Sequence, residues 1–285
     1  MEATIFAKAP LFDIVTLEDY AGKFNLPSPA ERRDTTEIFF VTGGSLVRNF
    51  NLGSIRLNRN DLHLSLPGDA TFVEATMGDV AGYYCRFNDA FLEDVYLKKH
   101  IEDDLAFINS FMYHYPLRVS GRVSGRLKNI FSVLCEMNVD REQHSSLIHA
   151  YLVTAIREIK HLMDSLHLNP FPSRAFQVTR QYYDLLMKHV AENRDVEYYA
   201  GLLGITPNHL NKSVKAVTGK TAIALRTEAT VLEAKLQLRE THLPVSGIAF
   251  ELGFSDLSYF SHLFKKETGY TPLGYRKKMI GSECV

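Results

Sequence analysis

The chain has 285 residues and a net charge of −1, with 46% hydrophobic and 23% charged residues. This length favours two domains, and the composition is that of a folded globular protein rather than a disordered chain. Its three cysteines, Cys85, Cys135 and Cys284, lie far apart and show no metal-ligand spacing. A disulfide framework and a zinc site are therefore both disfavoured.

The two halves of the chain differ in charge. Residues 1–170 carry 17 Lys and Arg against 22 Asp and Glu, a net charge of −5, whereas residues 171–285 carry 15 against 11, a net charge of +4. The basic surplus permits a polyanionic partner without proving one, because a mixed solvated surface often has such an imbalance. The sequence begins without a basic-then-apolar leader, and it has no apolar run of membrane-spanning length. We therefore expect a cytoplasmic protein with no membrane partner.

Short runs of β-branched and aromatic residues, separated by turn-forming residues, extend from about Asp34 to Phe87. The predicted turns are Gly43-Gly44, Asn51-Leu52-Gly53, Pro67-Gly68-Asp69 and Gly78-Asp79. Such closely spaced, punctuated runs are typical of antiparallel strands in a small barrel or sandwich. The first part of the chain is therefore predicted to be rich in β-structure.

The hydrophobic period becomes helical from Leu92 to about Phe111 and again from Gln143 to Leu162. The second helix carries an apolar stripe made of Ile148, Tyr151, Leu152, Ala155 and Ile159. A stripe of this kind is most often part of a core, and a homodimer seam is the alternative. We keep both interpretations, so a homodimer is one expectation.

Pro170 and Pro172 lie within three residues of each other and cannot continue a helix, so they mark a linker. The predicted organisation has three parts. Residues 1–165 form a β-rich domain with helices at its C-terminal end, residues 166–174 form the linker, and residues 175–285 form an all-α domain.

The all-α region contains a repeated motif. In the first copy, an amphipathic helix over Val196–Leu203 meets Gly204, a residue suited to the left-handed end of a helix. Thr206 is the predicted cap of the next helix and Pro207 its first residue. Apolar residues then recur at helical spacing, at Leu210, Val214 and Val217. Helix, glycine turn and helix together predict a helix-turn-helix unit.

The second copy has a leading helix over Val245–Leu252, then Gly253 at the turn and Ser255 as the predicted cap. The inward residues are predicted to be Phe254, Phe260 and Phe264. The offset between the copies is 49 residues up to the turn glycine and 50 from Leu210 and Phe260 onward. The second turn is therefore predicted to hold one extra residue.

The outward residues of each second helix follow from the helical period. They are Asn208, Asn211, Lys212 and Lys215 in the first copy, and Ser258, Ser261, His262 and Lys265 in the second. Asn can pair with adenine, Lys can donate to guanine or phosphate, and Ser can serve several bases. A solvated helix face is the alternative for one copy alone, but two copies in register favour contact with a major groove.

Thr221 to Glu240 is rich in Ala, Leu and Glu and contains no Gly or Pro. It predicts a rigid helix roughly 30 Å long at about 1.5 Å per residue. Successive turns of a DNA major groove recur about 34 Å apart, so such a helix can set two recognition helices into adjacent turns.

The text LLGITPNHLNKSVKAVTG, followed by IAFELGFSDLSYFSHLFKKETGYTPLGYR, resembles the DNA-binding domain of AraC/XylS-type transcription regulators over about Val196 to Arg276. The resemblance implies two helix-turn-helix units joined by a linker helix. It also implies double-stranded promoter DNA and RNA polymerase as partners, and activation or sometimes repression of transcription. Lys212 and His262 stand where many members have arginine, and Gly247 lies within a predicted helix.

The β-rich region resembles more weakly the cupin-like sensor and dimerisation domain of these regulators. Metal-binding cupins have a His-x-His motif, whereas His63 stands alone in LHLSL, so we predict no metal and no cofactor. If the barrel is hollow it could hold a small effector, with Arg48, Arg56 and Arg86 as anchors for an acidic group. Solvent-facing strand positions are the alternative for these arginines.

The leading hypothesis is a transcription regulator rather than an enzyme. An effector-free dimeric DNA-binding protein is one alternative. A cupin-type enzyme fused to a helical domain is another, and the absence of a histidine pair around His63 disfavours it.

Overall fold

A computed structural model describes residues 12–23, 26–28, 31–50, 53–92, 95–112, 115–167, 173–192 and 194–281. The chain divides into two compact units: Met1–Ser28 with Arg32–Pro170, and Pro29–Glu31 with Phe171–Val285. Pro170 and Pro172 lie outside the described residues. The linker at 166–174 and the domain boundaries on either side of it stay predictions.

The N-terminal unit contains a sheet of seven described strands. They are β1 Phe12–Thr16, β2 Glu31–Arg32, β3 Thr36–Phe50, β4 Gly53–Asn58, β5 Asp61–Ser65, β6 Ala70–Phe87 and β7 Leu117–Arg118. Their order is β1-β6-β3-β5-β7, with β2 added to β6 and β4 added to β3. β3 pairs antiparallel with β4, β5 and β6, so this long strand organises the sheet. Antiparallel β-structure in this unit is as predicted, whereas a closed cupin-like barrel stays a prediction.

Two of the predicted turns are wrong. β3 runs through Gly43-Gly44, and β6 runs through Gly78-Asp79, so each pair of predicted short strands is one long strand. The pairing of β3 with β6 shifts register around Gly43, as expected for a β-bulge. At Gly44, where φ is +60°, an added Cβ would lie 2.8 Å from the Val80 backbone. These glycines therefore bend paired strands instead of ending them.

The Pro67-Gly68-Asp69 turn is confirmed. Gly68 has a φ of +92° and joins β5 to β6. The Leu66 N–H donates to Asp69 Oδ2 at 3.1 Å, which closes the turn. The Asn51-Leu52 part of another predicted turn lies outside the described residues.

Four α-helices in the described part of this unit accompany the sheet: α1 Leu17–Lys23, α2 Val95–Met112, α3 Gly121–Met137 and α4 Ser145–Ser165. Side chains of α2, α3 and α4 share one apolar core with the strands, including Phe40 of β3 and Phe131 of α3. Their ring centroids lie 6.0 Å apart. The core of this unit therefore lies between the sheet and the helices.

The dimer-seam interpretation of the α4 stripe is wrong. Ile148, Leu152, Ala155 and Ile159 are at most 1% exposed within a single chain, and all four belong to this core. Tyr151 is partly buried against the same cluster. Side chains already buried in their own chain cannot form a seam with a second one, so the stripe is core.

The C-terminal unit consists of helices in the part that the structure describes. They are α5 Arg174–His189, α6 Val196–Leu202, α7 Pro207–Thr218, α8 Ala222–Glu240, α9 Val245–Glu251, α10 Leu257–Thr268 and α11 Pro272–Gly281. Their order and bounds follow the predicted pattern closely. The helical architecture of this unit is confirmed.

Candidate nucleic-acid interface

The first helix-turn-helix unit, α6 and α7, forms as the sequence indicates. Gly204 takes the left-handed conformation after α6, with φ at +65°. Thr206 caps α7, since its Oγ1 accepts a hydrogen bond from the His209 N–H at 3.2 Å. Pro207 occupies the first turn, where its missing N–H costs nothing. Side-chain capping and backbone conformation therefore fix where α7 begins.

The second unit, α9 and α10, has a different cap from the one predicted. Gly253 is left-handed, with φ at +74°. The cap of α10 is Asp256, whose Oδ1 accepts from the Ser258 N–H at 2.7 Å, so the assignment of Ser255 is wrong. Thr206 and Asp256 are 50 residues apart, which places the extra residue between Gly253 and Asp256.

Apolar contacts hold both second helices against their units. Leu210 and Val214 of α7 are fully buried. In α10, Phe260 and Phe264 are 2% and 1% exposed, and the Phe260 ring centroid lies 5.2 Å from that of Phe254. The inward assignments are confirmed, so the opposite faces of α7 and α10 are those left to solvent.

Six of the eight predicted contact residues are exposed on these faces: Asn208, Lys212 and Lys215 on α7, and Ser258, His262 and Lys265 on α10. Asn211 and Ser261, which are also 50 residues apart, are half-buried. The Asn211 side chain is engaged inside the unit, because its Oδ1 accepts a hydrogen bond from the Ala222 N–H at 3.0 Å. The prediction that Asn211 points outward is therefore wrong, and the residue ties α7 to the start of α8.

The exposed faces are wider than the sequence reasoning allowed. His209 and Ala216 of α7 are exposed, as are Tyr259 and Lys266 at the equivalent positions of α10. Tyr259 is 60% exposed. Counting about 100° of rotation per residue, as the helical period requires, places both pairs beside the predicted faces. The helical period also predicts these four exposed positions when a wider arc of each helix is included.

α8 has 19 residues, so it is about 28 Å long. Thr221 caps it by accepting from the Ala224 N–H at 3.1 Å, and Thr271 accepts from the Gly274 N–H at the start of α11 at the same distance. The repeat therefore extends into the helix that follows each helix-turn-helix unit. Arg276 Nε donates to the Leu238 carbonyl of α8 at 2.9 Å, which fastens α11 to the linker helix.

Gly247 is the third residue of α9, and glycine weakens a helix relative to alanine. A Cβ added there would meet the Pro244 ring carbons at 3.5 Å, an ordinary contact. Gly247→Ala should therefore raise the free energy of unfolding by up to about 1 kcal/mol. Gly253→Ala is the matched control and should lower it by about 1–2 kcal/mol, because φ is positive at this turn. Urea titration monitored by circular dichroism measures both, and a destabilised Gly247→Ala would contradict the expectation.

The three arginines predicted as effector anchors do not share an environment. Arg48 is 1% exposed and is paired with the buried Glu37 carboxylate. Arg56 is exposed on β4. Arg86 forms an ion pair with Asp13, with Nη2 and Oδ2 3.1 Å apart. The expectation that these arginines jointly hold an acidic ligand is therefore not supported, since Arg48 and Arg86 already have carboxylate partners and Arg56 faces solvent.

Arg48 belongs to a buried polar cluster of the N-terminal unit. Its Nη1 hydrogen-bonds to His63 Nδ1 at 2.8 Å, its Nη2 donates to Ser65 Oγ at 2.8 Å, and its guanidinium lies 4.4 Å from the centroid of the Phe39 ring. Burial alone would raise the pKa of the Glu37 carboxyl, but nearby Arg48 and Arg33 outweigh it and lower that pKa. The cluster therefore holds Glu37 as a carboxylate.

Burial, reinforced by the charge of Arg48, holds the pKa of His63 well below its ordinary value. Because Arg48 can only donate, the neutral ring accepts at Nδ1. His63 is thus a hydrogen-bond acceptor of the buried polar cluster. Among the residues that the structure describes, no group of three or more His, Cys, Asp and Glu is placed to hold a metal ion.

The depressed pKa of His63 predicts how stability depends on pH. Between the folded-state pKa and about pH 6.5 the unfolded chain binds more protons than the folded one. The stability that depends on neutral His63 is complete above about pH 6.5 and is lost as the pH falls below it. His63→Asn keeps an acceptor for Arg48 and removes this titration, so its free energy of unfolding should change less between about pH 6.5 and 5. Urea titrations across this range measure the slope, and a wild-type slope in His63→Asn would contradict the expectation.

Comparison with known proteins agrees with this architecture. Residues 199–278 match the family model of a helix-turn-helix domain. The C-terminal part of the chain is an AraC-type helix-turn-helix domain. No helix in the described part of the chain is long and apolar enough to cross a membrane.

Two similar relatives are transcription regulators by name. The chain is 26% identical over 151 residues to the arabinose operon regulatory protein of Escherichia coli (strain K12), covering 52% of this chain and 50% of that protein. It is 31% identical over 99 residues to the HTH-type transcriptional activator RhaR of Cronobacter sakazakii, covering 33% and 35%. The matches to the first curated relatives span about half of their length or less.

Solved structures give matches of two kinds. The C-terminal domain of AraT, a response regulator from Geobacillus stearothermophilus, is 31% identical with a TM-score of 0.35, and the match covers 37% of this chain and 88% of that one. ToxT from Vibrio cholerae is 14% identical with a TM-score of 0.44, and the match covers 93% and 97%.

Proposed function

We propose that this protein is a sequence-specific DNA-binding transcription regulator that places α7 and α10 in two adjacent turns of the major groove. The observation that carries the proposal is the pair of matched exposed faces on two capped helix-turn-helix units joined by a continuous 19-residue helix. In a single helix-turn-helix unit, such a surface would be explained as an ordinary solvent-exposed helix face. Two units with the same exposed positions favour a repeating partner, and double-stranded DNA is such a partner.

The exposed side chains suit different parts of DNA. Asn208 can donate to and accept from adenine, and Lys212 can donate to guanine. Ser258 and His262 occupy the equivalent two positions on α10. Their hydroxyl group and imidazole ring can also form hydrogen bonds with bases. Lys215 and Lys265 lie one turn further along, where an ammonium group suits the phosphate backbone. Asn211 and Ser261 are placed at the edge of the interface, with Asn211 acting mainly to orient α7.

The net charge of +4 on residues 171–285 supports the same partner, because neutralising phosphates releases counterions and favours binding. The length of α8, about 28 Å, is close to the repeat of about 34 Å between major-groove turns. A helix of this length limits the distance between the two helix-turn-helix units. The expected site is therefore two short segments separated by about one helical turn.

The names of the relatives extend the proposal to the whole chain. One relative is named as an arabinose operon regulator and another as a transcriptional activator, so we extend the proposal to activation of transcription by this protein. We also propose RNA polymerase as a partner and the cytoplasm as the location. In this proposal the N-terminal unit supports dimerisation or senses a small effector, and it uses surfaces other than the α4 stripe and the Arg48, Arg56 and Arg86 set.

Selection of bound sequences from a random DNA library tests the proposal. We expect enriched sites with two preferred segments about 10–10.5 base pairs apart, and an affinity that falls steeply as salt rises. Fluorescence anisotropy with the enriched duplex and a scrambled one measures specificity. Failure to enrich any sequence, or equal affinity for both duplexes, would refute sequence-specific binding.

A further inference from the structure

Tyr259 in the first turn of α10 is an exposed aromatic residue to which the proposed DNA contacts give no role. It is 60% exposed, and its ring centroid lies 6.0 Å from that of Phe254, which is 8% exposed. The buried Phe254 therefore supports part of the Tyr259 ring, while the rest of the ring faces solvent. A ring supported in this way loses little conformational entropy when a partner covers it.

Helical spacing shows which way Tyr259 faces. His262 is three residues further on and Lys266 seven, so the three side chains lie in one line along the helix surface, and all three are exposed. Leu257, the other apolar residue of this turn, is 44% exposed and lies in line with the buried Phe264. Tyr259 is therefore on the same side as His262, a proposed base contact, whereas Leu257 is on the side that packs against the unit.

The first helix-turn-helix unit has a different pair of residues at the equivalent positions. His209 stands 50 residues before Tyr259, and Ile205 stands 49 residues before Phe254. His209 is exposed and Ile205 is half-buried. The first turn of α7 thus presents a polar ring where the first turn of α10 presents a largely apolar one. The two recognition helices should therefore differ in the bases that they select.

The chemistry of the major groove limits what an apolar ring can contact there. The N-terminal residues of a recognition helix contact base edges. These edges carry hydrogen-bond donors and acceptors together with one apolar group, the C5-methyl of thymine. Phosphate oxygens instead need a cation or a donor, and Lys265 and Lys266 offer ammonium groups in the last turn of α10. The uncharged ring in the first turn is therefore suited to a thymine methyl.

We propose that Tyr259 selects a thymine in the DNA segment bound by α10 by packing its ring against the C5-methyl group. The inference rests on the proposed function, since it assigns base specificity to one residue of the second recognition helix. His209 offers no such apolar surface on α7. The two segments of the site should therefore differ, with a thymine required at one position of the α10 segment.

The test uses the full chain and the enriched duplex, with single thymines replaced by deoxyuridine, which pairs as thymine does and lacks only the methyl group. Anisotropy measures each affinity. We expect at least one replacement to weaken binding by the wild-type chain about fourfold, the factor expected for one buried methyl-sized group. The same replacement should change the affinity of Tyr259→Ala by less than about 1.5-fold. Tyr259→Phe keeps the ring and should keep the fourfold effect, as should His209→Ala, the matched control on α7.

Tyr259→His provides a second variant without the tyrosine ring, and it carries the residue found at the equivalent position of α7. It should lose the methyl effect as Tyr259→Ala does, so the test does not depend on how alanine is tolerated beside Phe254. Circular dichroism shows whether each variant is folded.

Several results would overturn the assignment of Tyr259. One is an enriched site in which no deoxyuridine replacement weakens binding by the wild-type chain. Another is a methyl effect that persists in both Tyr259→Ala and Tyr259→His, or that is also lost in His209→Ala. A third is an equal loss of affinity in Tyr259→Phe and Tyr259→Ala, which would assign the contact to the hydroxyl group. A wild-type chain that enriches no sequence would instead refute the proposed function, so the two failures are distinguishable.

Discussion

Arg48→Met is expected to lower the free energy of unfolding of the N-terminal unit by about 3–5 kcal/mol. The substitution leaves the Glu37 carboxylate buried without its main cationic partner, although Arg33 Nη1 remains 3.3 Å from it. It also removes the hydrogen bonds to His63 and Ser65. Equilibrium urea unfolding, followed by circular dichroism, measures the change.

Two comparisons make this expectation specific. Arg56→Met removes an exposed arginine from β4 and should change stability by no more than about 0.5 kcal/mol. Glu37→Gln combined with Arg48→Met should cost less than the sum of the two single changes, because the pair is directly coupled. A loss below about 1 kcal/mol for Arg48→Met would show that the buried pair contributes little.

Replacing Lys212 and His262 by alanine is expected to weaken specific DNA binding by about 2–4 kcal/mol in total while the fold persists. Both side chains are exposed at equivalent positions of α7 and α10, so their loss should leave the cores around Leu210 and Phe260 intact. Anisotropy with the enriched duplex measures the loss. Affinity for a scrambled duplex should fall less, because base contacts are missing there already.

The matched control removes one lysine and one histidine side chain from other positions of the C-terminal unit. Lys188 at the end of α5 and His242 before α9 are both exposed, and Lys188→Ala with His242→Ala should bind the enriched duplex nearly as wild type does. Unchanged affinity in the Lys212 and His262 variant would count against the assigned interface. An equal loss for both duplexes would reassign these residues to phosphate contacts.

Local chemistry explains why the helical unit was predicted well. Gly204 and Thr206 act through their own backbone and the next turn, so the glycine turn and the cap follow from a few neighbouring residues. Ser255 was misassigned because Ser and Asp are both good caps and adjacent. Which of the two caps α10 depends on the backbone conformation after Gly253. In the structure, Asp256 Oδ1 accepts the hydrogen bond from the Ser258 N–H.

The β-rich unit was predicted less well because its glycines have non-local roles. Gly44 has positive φ, as a turn residue does. Glycine is required there because the Val80 backbone of the partner strand leaves no room for a Cβ. The α4 stripe is an ordinary amphipathic pattern, and which surface covers it depends on the sheet and on α3. Neither outcome can be read from sequence separations alone, because each depends on a pairing between distant parts of the chain.

The hydrogen bond from the Ala222 N–H to Asn211 Oδ1 joins α7 to the first residue of α8. A substitution at Asn211 would therefore change the angle at which α8 leaves α7, although the Asn211 side chain itself is turned into the unit. Asn208, which is exposed, carries no such link in the described part of the chain. Under the proposed function, new binding preferences can thus arise at Asn208 without disturbing the separation of the two helix-turn-helix units, whereas a change at Asn211 would alter that separation.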